Sequence, residues 1–475
     1  MKTHPLYLNG QWVQTQATIR VLNPATGEPF AEVCTVERPA VAQALADAHA
    51  AFQDWRRLTG KARGEYLRKV AGELERRRDE IARTITLENG KPLAQSLGES
   101  AMSVDHLRWF AEEARRAYGR LVPHQTEGKR HLVIKSPMGV VGAISPWNFP
   151  LVLALRKAAP ALAAGCTVVL KPASATPLCA LALAECMEGA HLPKGVFQVV
   201  AGRAADIAQE FLENPLCRKI TFTGSTEVGK TLIRGAAAAV KPLSLELGGH
   251  APVLVFEDAD LDAAVEGALI TKFRNTGQSC IASNRIYVQR SVYREFLDRF
   301  VRRTSALKVG DGLEPGVDIG PLINEEGLAK ALGHIRDATR RGARLLCGGK
   351  HIERKGWFLE PTVLADVPAD AACMAEETFA PVAPVCPFET EEEAIERANG
   401  SPYGLSAYAF TRDLSRTFRL MESLEAGTIG INDGVPATSQ CPFGGAKQSG
   451  WGRELGIEGM DAFLETKHVS LGLGI

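Results

Sequence analysis

The sequence predicts an α/β protein built from two α/β units and a small β element. Three observations carry that prediction. Between residues 144 and 256, β-prone runs alternate with helical segments, the signature of a parallel sheet with crossover helices. A second alternating series follows Cys280. Short β-prone runs broken by Pro137 and Gly139 separate the first series from a helical N-terminal region. At roughly 150 residues per domain, 475 residues leave room for about three domains.

The elements are expected in this order. Residues 39–118 are helical, with Pro39, Thr59 and Pro92 near the starts of helices over 40–55, 61–78 and 93–118. Their charged faces read as solvated surface. Residues 132–134 and 140–144 are β-prone, and 120–140 reads as a hairpin arm. Strands follow at 167–170, 196–200, 219–223 and 252–256, with helices at 178–188 and 204–213 between the first three. After Cys280 come strands at 285–288, 344–346 and 405–410, and helices at 292–307, 325–341, 391–399 and 413–424. A last strand spans 463–473. It and the hairpin present edges, and exposed edges pair with something.

Charge and composition exclude several classes. Lys plus Arg is 55 and Asp plus Glu is 55, so the net charge is zero, without the basic footprint of a nucleic-acid binder. A hydrophobic fraction of 45% excludes a disordered chain. The N-terminus has no apolar signal core. The most apolar long stretch, 152–170, contains Arg156, Lys157 and Pro160. It reads as a soluble helix, a turn at Gly165 and a buried strand. No histidine pair or acidic cluster has metal-ligand spacing, so no metal is expected. The ten cysteines include no CxxC. Reduced thiols in a cytoplasmic protein are expected, most of them buried as small apolar groups.

Residues 224–231, Gly-Ser-Thr-Glu-Val-Gly-Lys-Thr, satisfy the phosphate-cradling pattern G-x-x-x-x-G-K-[ST] after a strand. The apolar run 253–256 before Glu257 and Asp258 imitates a Walker B strand. Alone, this reads as a P-loop NTPase. Against it, the middle of the motif lacks glycine, and Glu227 would repel an anion in the nest. No G-x-G-x-x-G is present either. The helix N-terminus can still face a phosphate.

Three residues form a candidate catalytic set. Cys280 follows Asn275-Thr276-Gly277-Gln278-Ser279, a polar context that suits a partly exposed nucleophile better than core filler. Glu246, between two leucines in Leu245-Glu246-Leu247-Gly248-Gly249, is either a paired structural charge or a base with a raised pKa. Asn148 sits in the stiff loop Pro146-Trp147-Asn148-Phe149-Pro150, where its amide is either a turn element or an oxyanion donor.

The strings PWNFP (146–150), KPASATP (171–177), FTGSTEVG (222–229), LELGG (245–249), GQSC (277–280), EETFAPV (376–382) and PFGGAKQSGWGRE (442–454) together resemble the aldehyde dehydrogenase superfamily. They occur in its order across nearly the whole chain. The wording around Cys280 resembles the succinate-semialdehyde branch. The resemblance implies a Rossmann-type cofactor domain (1–119 and 141–246), an α/β catalytic domain (247–441), and an oligomerisation arm with C-terminal tail (120–140 and 442–475). It implies Cys280 as nucleophile, Asn148 as oxyanion donor and Glu246 as deacylating base. It implies cofactor contacts from Trp147, Lys171, Ser174, Gly224, Ser225, Leu247, Glu377 and Phe379. Ser174 stands where an acid would repel a 2′-phosphate, so NADP is expected to be accepted beside NAD, and preferred if that phosphate is bound.

Arg156 and Arg274 match the arginines that bind the substrate's distal carboxylate. The serine usual at a third ligand position is Ala437, and Thr438 or Ser439 is expected to substitute. Ala282 replaces a second cysteine often found beside the nucleophile, and Ala380 replaces a glycine. The implied substrate is a small anionic aldehyde, succinate semialdehyde or a relative. Glutarate or 2-oxoglutarate semialdehyde, lactaldehyde and a sulfonate-bearing aldehyde remain open. A homodimer or homotetramer with no nucleic-acid or membrane partner is expected. Retention of Cys280, Glu246 and Asn148 together argues against a non-catalytic relative.

Overall fold

The computed structural model describes residues 1–474. Its centre is two mixed α/β sheets. The first orders Phe197–Val199, Thr167–Lys171, Val140–Ile144, Cys217–Thr223, Leu243–Glu246 and Gly450–Trp451. All pairings are parallel except the last. Numbered along the chain, the parallel strands run 3-2-1-4-5, so the order reverses between Val140–Ile144 and Cys217–Thr223. A doubly wound sheet opens its binding crevice at that reversal, beyond the carboxyl ends of the strands.

The second sheet orders Arg344–Cys347, Thr362–Ala365, Val382–Phe388, Ser283–Gln289, Ala251–Val255, Ser406–Phe410 and Thr428–Ile431, antiparallel only at its first pair. Most of these central strands are buried along their whole length. Near-continuous apolar runs are what a sheet covered on both faces requires.

The third unit is a small antiparallel sheet. Arg120–Val122 and Leu464–Gly472 flank Lys129–Pro137. The expected hairpin and C-terminal strand therefore pair with each other. The rest of the tail behaves differently from expectation. Gly450–Trp451 returns to the edge of the first sheet, and Phe443, Leu455 and Met460 join the core beneath it.

Other differences have local causes. Helix Gly60–Arg76 stops at Arg77, and a separate helix, Arg78–Asn89, begins there with Asp79 and Glu80 in its first turn. The run of arginines masked that junction. Helix Leu261–Phe273 is capped by the Asp260 carboxylate, which accepts from the Asp262 and Ala263 N–H groups at 3.1 Å. It is apolar on most of its circumference, so no polar stripe marks its period. Of the strands within residues 2–34, three have only three residues, and Thr18–Asn23 and Glu28–Cys34 are largely exposed or half-buried, so no continuous apolar run marks them. No helix among the described residues is long and apolar enough to cross a membrane.

Candidate active site

The first sheet delivers its carboxyl ends to one crevice. Val140–Ile144 runs into Pro146, Trp147 and Asn148; Cys217–Thr223 runs into Gly224 and Ser225; Leu243–Glu246 runs into Leu247 and Gly248. The opposite wall comes from segments just before strands of the second sheet. Cys280 precedes Ser283–Gln289, and Glu377 and Phe379 precede Val382–Phe388. Together these residues line a cavity of about 200 Å³. Eight residues singled out in the sequence thus share one cavity: Trp147, Asn148, Gly224, Ser225, Leu247, Cys280, Glu377 and Phe379.

Cys280 is half-buried. Burial, and then the carboxylate of Glu377, push its thiol up to about 12, while the Arg156 guanidinium favours the thiolate. At rest the sulfur is a thiol. The turn before it is strained: Asn275, Thr276 and Gly277 are consecutive left-handed residues with φ of 52°, 60° and 74°. Only glycine adopts that region without cost. Side-chain bonds hold the other two. The Asn275 amide donates to the carbonyls of Asn148 (2.8 Å) and Gln278 (3.0 Å), and the Thr276 hydroxyl donates to Gly320 O (3.1 Å). Gly249 passes so close that a Cβ there would lie 2.2 Å from the Cys280 carbonyl.

Asn148 is buried. One of its amide hydrogens bonds Gln278 O at 3.1 Å, which leaves the second available. Its backbone carbonyl is an anchor, accepting from Lys91 Nζ (2.6 Å) as well as Asn275. Lys91 is fully buried against Glu99 (2.6 Å). Glu99 in turn accepts the Leu151 and Val152 N–H groups at the start of helix Pro150–Ala164. Sequence reasoning missed Lys91, Glu99 and Asn275. Charged residues in a polar helical region look the same whether they face water or a buried loop.

Glu246 is buried, and its Oε2 has no hydrogen-bond partner among the described residues. Burial, and then the neighbouring Glu454, raise its carboxyl well above the usual range, with Lys157 opposing. Lys157 donates to Glu454 Oε1 (2.7 Å) and Thr223 Oγ1 (2.6 Å). Lys157 is thus ion-paired with Glu454 and reaches Glu246 only through its charge. Lys157 and Glu454 were also missed. The available signal was a lysine in a helix whose every residue is buried.

A base must be ionised, so a raised pKa places the rising limb of a Glu246-dependent step at higher pH. Glu454→Gln removes one cause of that elevation and frees Lys157. The limb of the deacylation rate should move to lower pH, as measured by stopped-flow single turnovers. A shift to higher pH would contradict the geometry.

The crevice fits a dinucleotide. Ser225 caps helix Thr226–Ala237, accepting from the Val228 N–H at 3.3 Å, so the helix N-terminus opens at the cavity. Lys171 is buried without a hydrogen-bond or ion-pair partner among the described residues, and burial lowers its pKa to about 8. Such an ammonium suits ribose hydroxyls or phosphate. Glu377 accepts the Gly249 N–H at 3.2 Å, and burial raises it to about 7. The Trp147 and Phe379 rings meet edge-on at 5.5 Å. Ser174 is exposed just beyond Lys171.

The P-loop reading fails on topology. Residues 224–231 follow a strand of the first sheet, whereas the imitation Walker B run lies in Ala251–Val255 of the second. Lys230 is exposed and does not line the cavity.

Arg156 is 5% exposed, so it does not reach for bulk solvent from its helix. Its charge is felt at Cys280, Glu246 and Arg274, whereas Arg274 lines a separate cavity with Gln95 and Phe273. The Arg274 guanidinium packs over the Phe149 ring at 5.2 Å. Neither arginine has an ion-pair partner among the described residues. Thr438 is half-buried and donates to Gln440 Oε1 (2.7 Å). Ser439 is buried and engaged by His106 and Asp105. His250 is structural: it is buried, with Nε2 3.1 Å from Cys373 O. Seven of the remaining nine cysteines are buried, but Cys347 is half-buried and Cys441 is exposed.

Residues 12–469 match the profile of the Aldehyde dehydrogenase family. The chain is 49% identical over 468 residues to the NADP(+) succinate-semialdehyde dehydrogenase of Escherichia coli (strain K12), covering 98% of this chain and 97% of that one. It is also 49% identical to the glutarate-semialdehyde dehydrogenase of Pseudomonas aeruginosa, with the same coverage. The crystal structure of an E. coli NADP-dependent enzyme superposes with a TM-score of 0.98 over 99% of this chain and 98% of its own. Taken with the cysteine, amide and carboxylate at the crevice, these matches show that the chain belongs to the aldehyde dehydrogenase family.

Proposed function

We propose that the chain oxidises a small anionic aldehyde, succinate semialdehyde or a close relative, to its carboxylic acid with NADP or NAD. The observation that carries this reading is Arg156, a buried guanidinium whose charge acts on Cys280 and which has no ion-pair partner among the described residues, with half-buried Arg274 near enough to feel that charge. An unpaired buried cation such as Arg156 is costly, and a substrate carboxylate relieves it. A guanidinium fork suits that group.

The chemistry follows from the site. The Cys280 thiol releases its proton to water in the crevice, and the thiolate, favoured by the Arg156 charge, attacks the aldehyde carbon. The resulting oxyanion is held by the free Asn148 amide hydrogen and the Cys280 backbone N–H. When bound, the nicotinamide cofactor supplies the hydride acceptor that turns the adduct into a thioester. Glu246 then takes a proton from water, which displaces Cys280 and releases the acid. Trp147, Gly224, Ser225, Leu247 and Phe379 form the crevice wall for the cofactor, and Lys171 and Glu377 take the ribose hydroxyls. Ser174 leaves space without negative charge for a 2′-phosphate, which favours acceptance of NADP, the cofactor named for the E. coli relative. Thr438 can serve as a third carboxylate ligand by exchanging its bond to the exposed Gln440 for one to substrate.

Residues 1–119 with 141–246 hold the cofactor, and 247–441 carry the nucleophile. The sheet of Lys129–Pro137 and Leu464–Gly472 leaves Leu121, Ile134 and Leu471 exposed. Those exposed apolar side chains support a dimer or tetramer, distinguishable by sedimentation.

Arg274→Ala tests the substrate class. Losing a hydrogen bond to a charged group costs about 1.5–3 kcal/mol, so KM for succinate semialdehyde should rise roughly 10- to 100-fold. KM for butanal should stay within a few-fold. Equal effects on both aldehydes would remove the carboxylate pocket from this site.

A further inference from the structure

Arg156 is held by a chain of polar groups that the reaction does not use. Its Nε donates to His106 Nε2 at 3.3 Å, and its guanidinium lies 4.7 Å from the Phe443 ring centroid. His106, on helix Leu93–Glu113, is fully buried. Its other nitrogen, Nδ1, is 2.7 Å from the hydroxyl of Ser439, which is itself buried and bonded to the Asp105 carboxylate.

The donors and acceptors can be assigned in only one direction. A carboxylate accepts, so the Ser439 hydroxyl donates to Asp105. The Ser439 oxygen then accepts from His106, which puts the imidazole hydrogen on Nδ1. Nε2 is left with a lone pair, the partner an arginine N–H needs. Burial and the Arg156 charge keep His106 neutral, lowering its pKa well below the ordinary value. The two terminal nitrogens of Arg156 have no hydrogen-bond partner among the described residues. The chain Asp105–Ser439–His106 thus takes up Nε and leaves the two-nitrogen face of the fork unengaged.

We propose that His106, locked as its Nδ1–H tautomer by Ser439 and Asp105, is a positioning residue that aims Arg156 and so sets how strongly the site holds the anionic end of its substrate. This rests on the reading that Arg156 receives that end. It also explains why Ser439, two residues beyond Ala437, is unavailable as a substrate ligand. Its hydroxyl is spent on orienting the histidine. Specificity for the anion therefore reaches back to a helix, Leu93–Glu113, that contributes nothing to the cavity lining.

The test uses two amides that imitate different ring nitrogens. A glutamine can place its carbonyl oxygen near the position of Nε2, whereas asparagine reaches only the position of Nδ1. His106→Asn should raise KM for succinate semialdehyde on the order of tenfold, the scale of one lost charge-assisted hydrogen bond. Its kcat, and its KM for butanal, should stay within about twofold. His106→Gln should retain most of the wild-type KM. In an Arg156→Met background, His106→Asn should have no further effect on the acidic substrate.

A fall in kcat equal for both aldehydes, or failure of His106→Gln to rescue, would overturn the proposal in favour of a role in packing alone. If Arg156→Met changes the acidic-to-neutral ratio and His106→Asn does not, the positioning role is wrong while the anion pocket stands. If Arg156→Met leaves that ratio unchanged, the substrate reading itself fails.

Discussion

Cys280→Ala protein should form no carboxylic acid from any aldehyde, its rate falling by about 10⁴-fold or more. The size of the effect follows from the chemistry. Without the sulfur there is no covalent adduct from which hydride can leave, and no other side chain on the cavity wall is a comparable nucleophile. Cofactor affinity should change little, because Lys171, Glu377, the Ser225-capped helix and the Trp147–Phe379 pair are all intact. Reduced-cofactor absorbance and calorimetric titration of cofactor measure the two quantities separately. Retained turnover would move the nucleophile elsewhere, and the exposed Cys441 would be the next thiol to replace.

Glu246→Gln should divide the reaction in two. Glutamine keeps the volume of the buried side chain but accepts no proton from water. Attack and oxidation need only Cys280, Asn148 and the cofactor, so one equivalent of reduced cofactor should appear in a burst. Steady turnover should then fall by roughly 10²–10⁴-fold, the usual contribution of a positioned base. The acyl group should be recoverable on the peptide containing Cys280 by mass spectrometry after acid quench. A uniform loss without burst or trapped acyl group would place Glu246 before the thioester and end its assignment to deacylation.

Much of the site was legible because its parts are local strings. A loop stiffened by two prolines, a glycine pair after a carboxylate and a polar run before a cysteine each point to a constrained backbone. The alternation of strand and helix announced both sheets, and the topology then explained why the strings converge: each lies at a carboxyl end in one sheet or an amino end in the other. The supporting groups were not legible for an equally physical reason. Lys91, Glu99, His106, Lys157 and Glu454 act through partners distant in sequence, up to 333 positions for His106 and Ser439. Nothing in the residues adjoining them distinguishes a buried ion from a solvated one. The helix Leu261–Phe273 was lost for the converse reason, since burial on several sides erased its period.

The return of the tail to the first sheet bears on how the protein is made. Gly450–Trp451 pairs with Leu243–Glu246, and Glu454 supplies the carboxylate that pairs with buried Lys157. A growing polypeptide therefore carries its nucleophile and oxyanion donor long before the surroundings of its base exist. A message truncated shortly after codon 441 would yield a product with both main sheets, an unpaired edge at Leu243–Glu246 and an unneutralised lysine in its core.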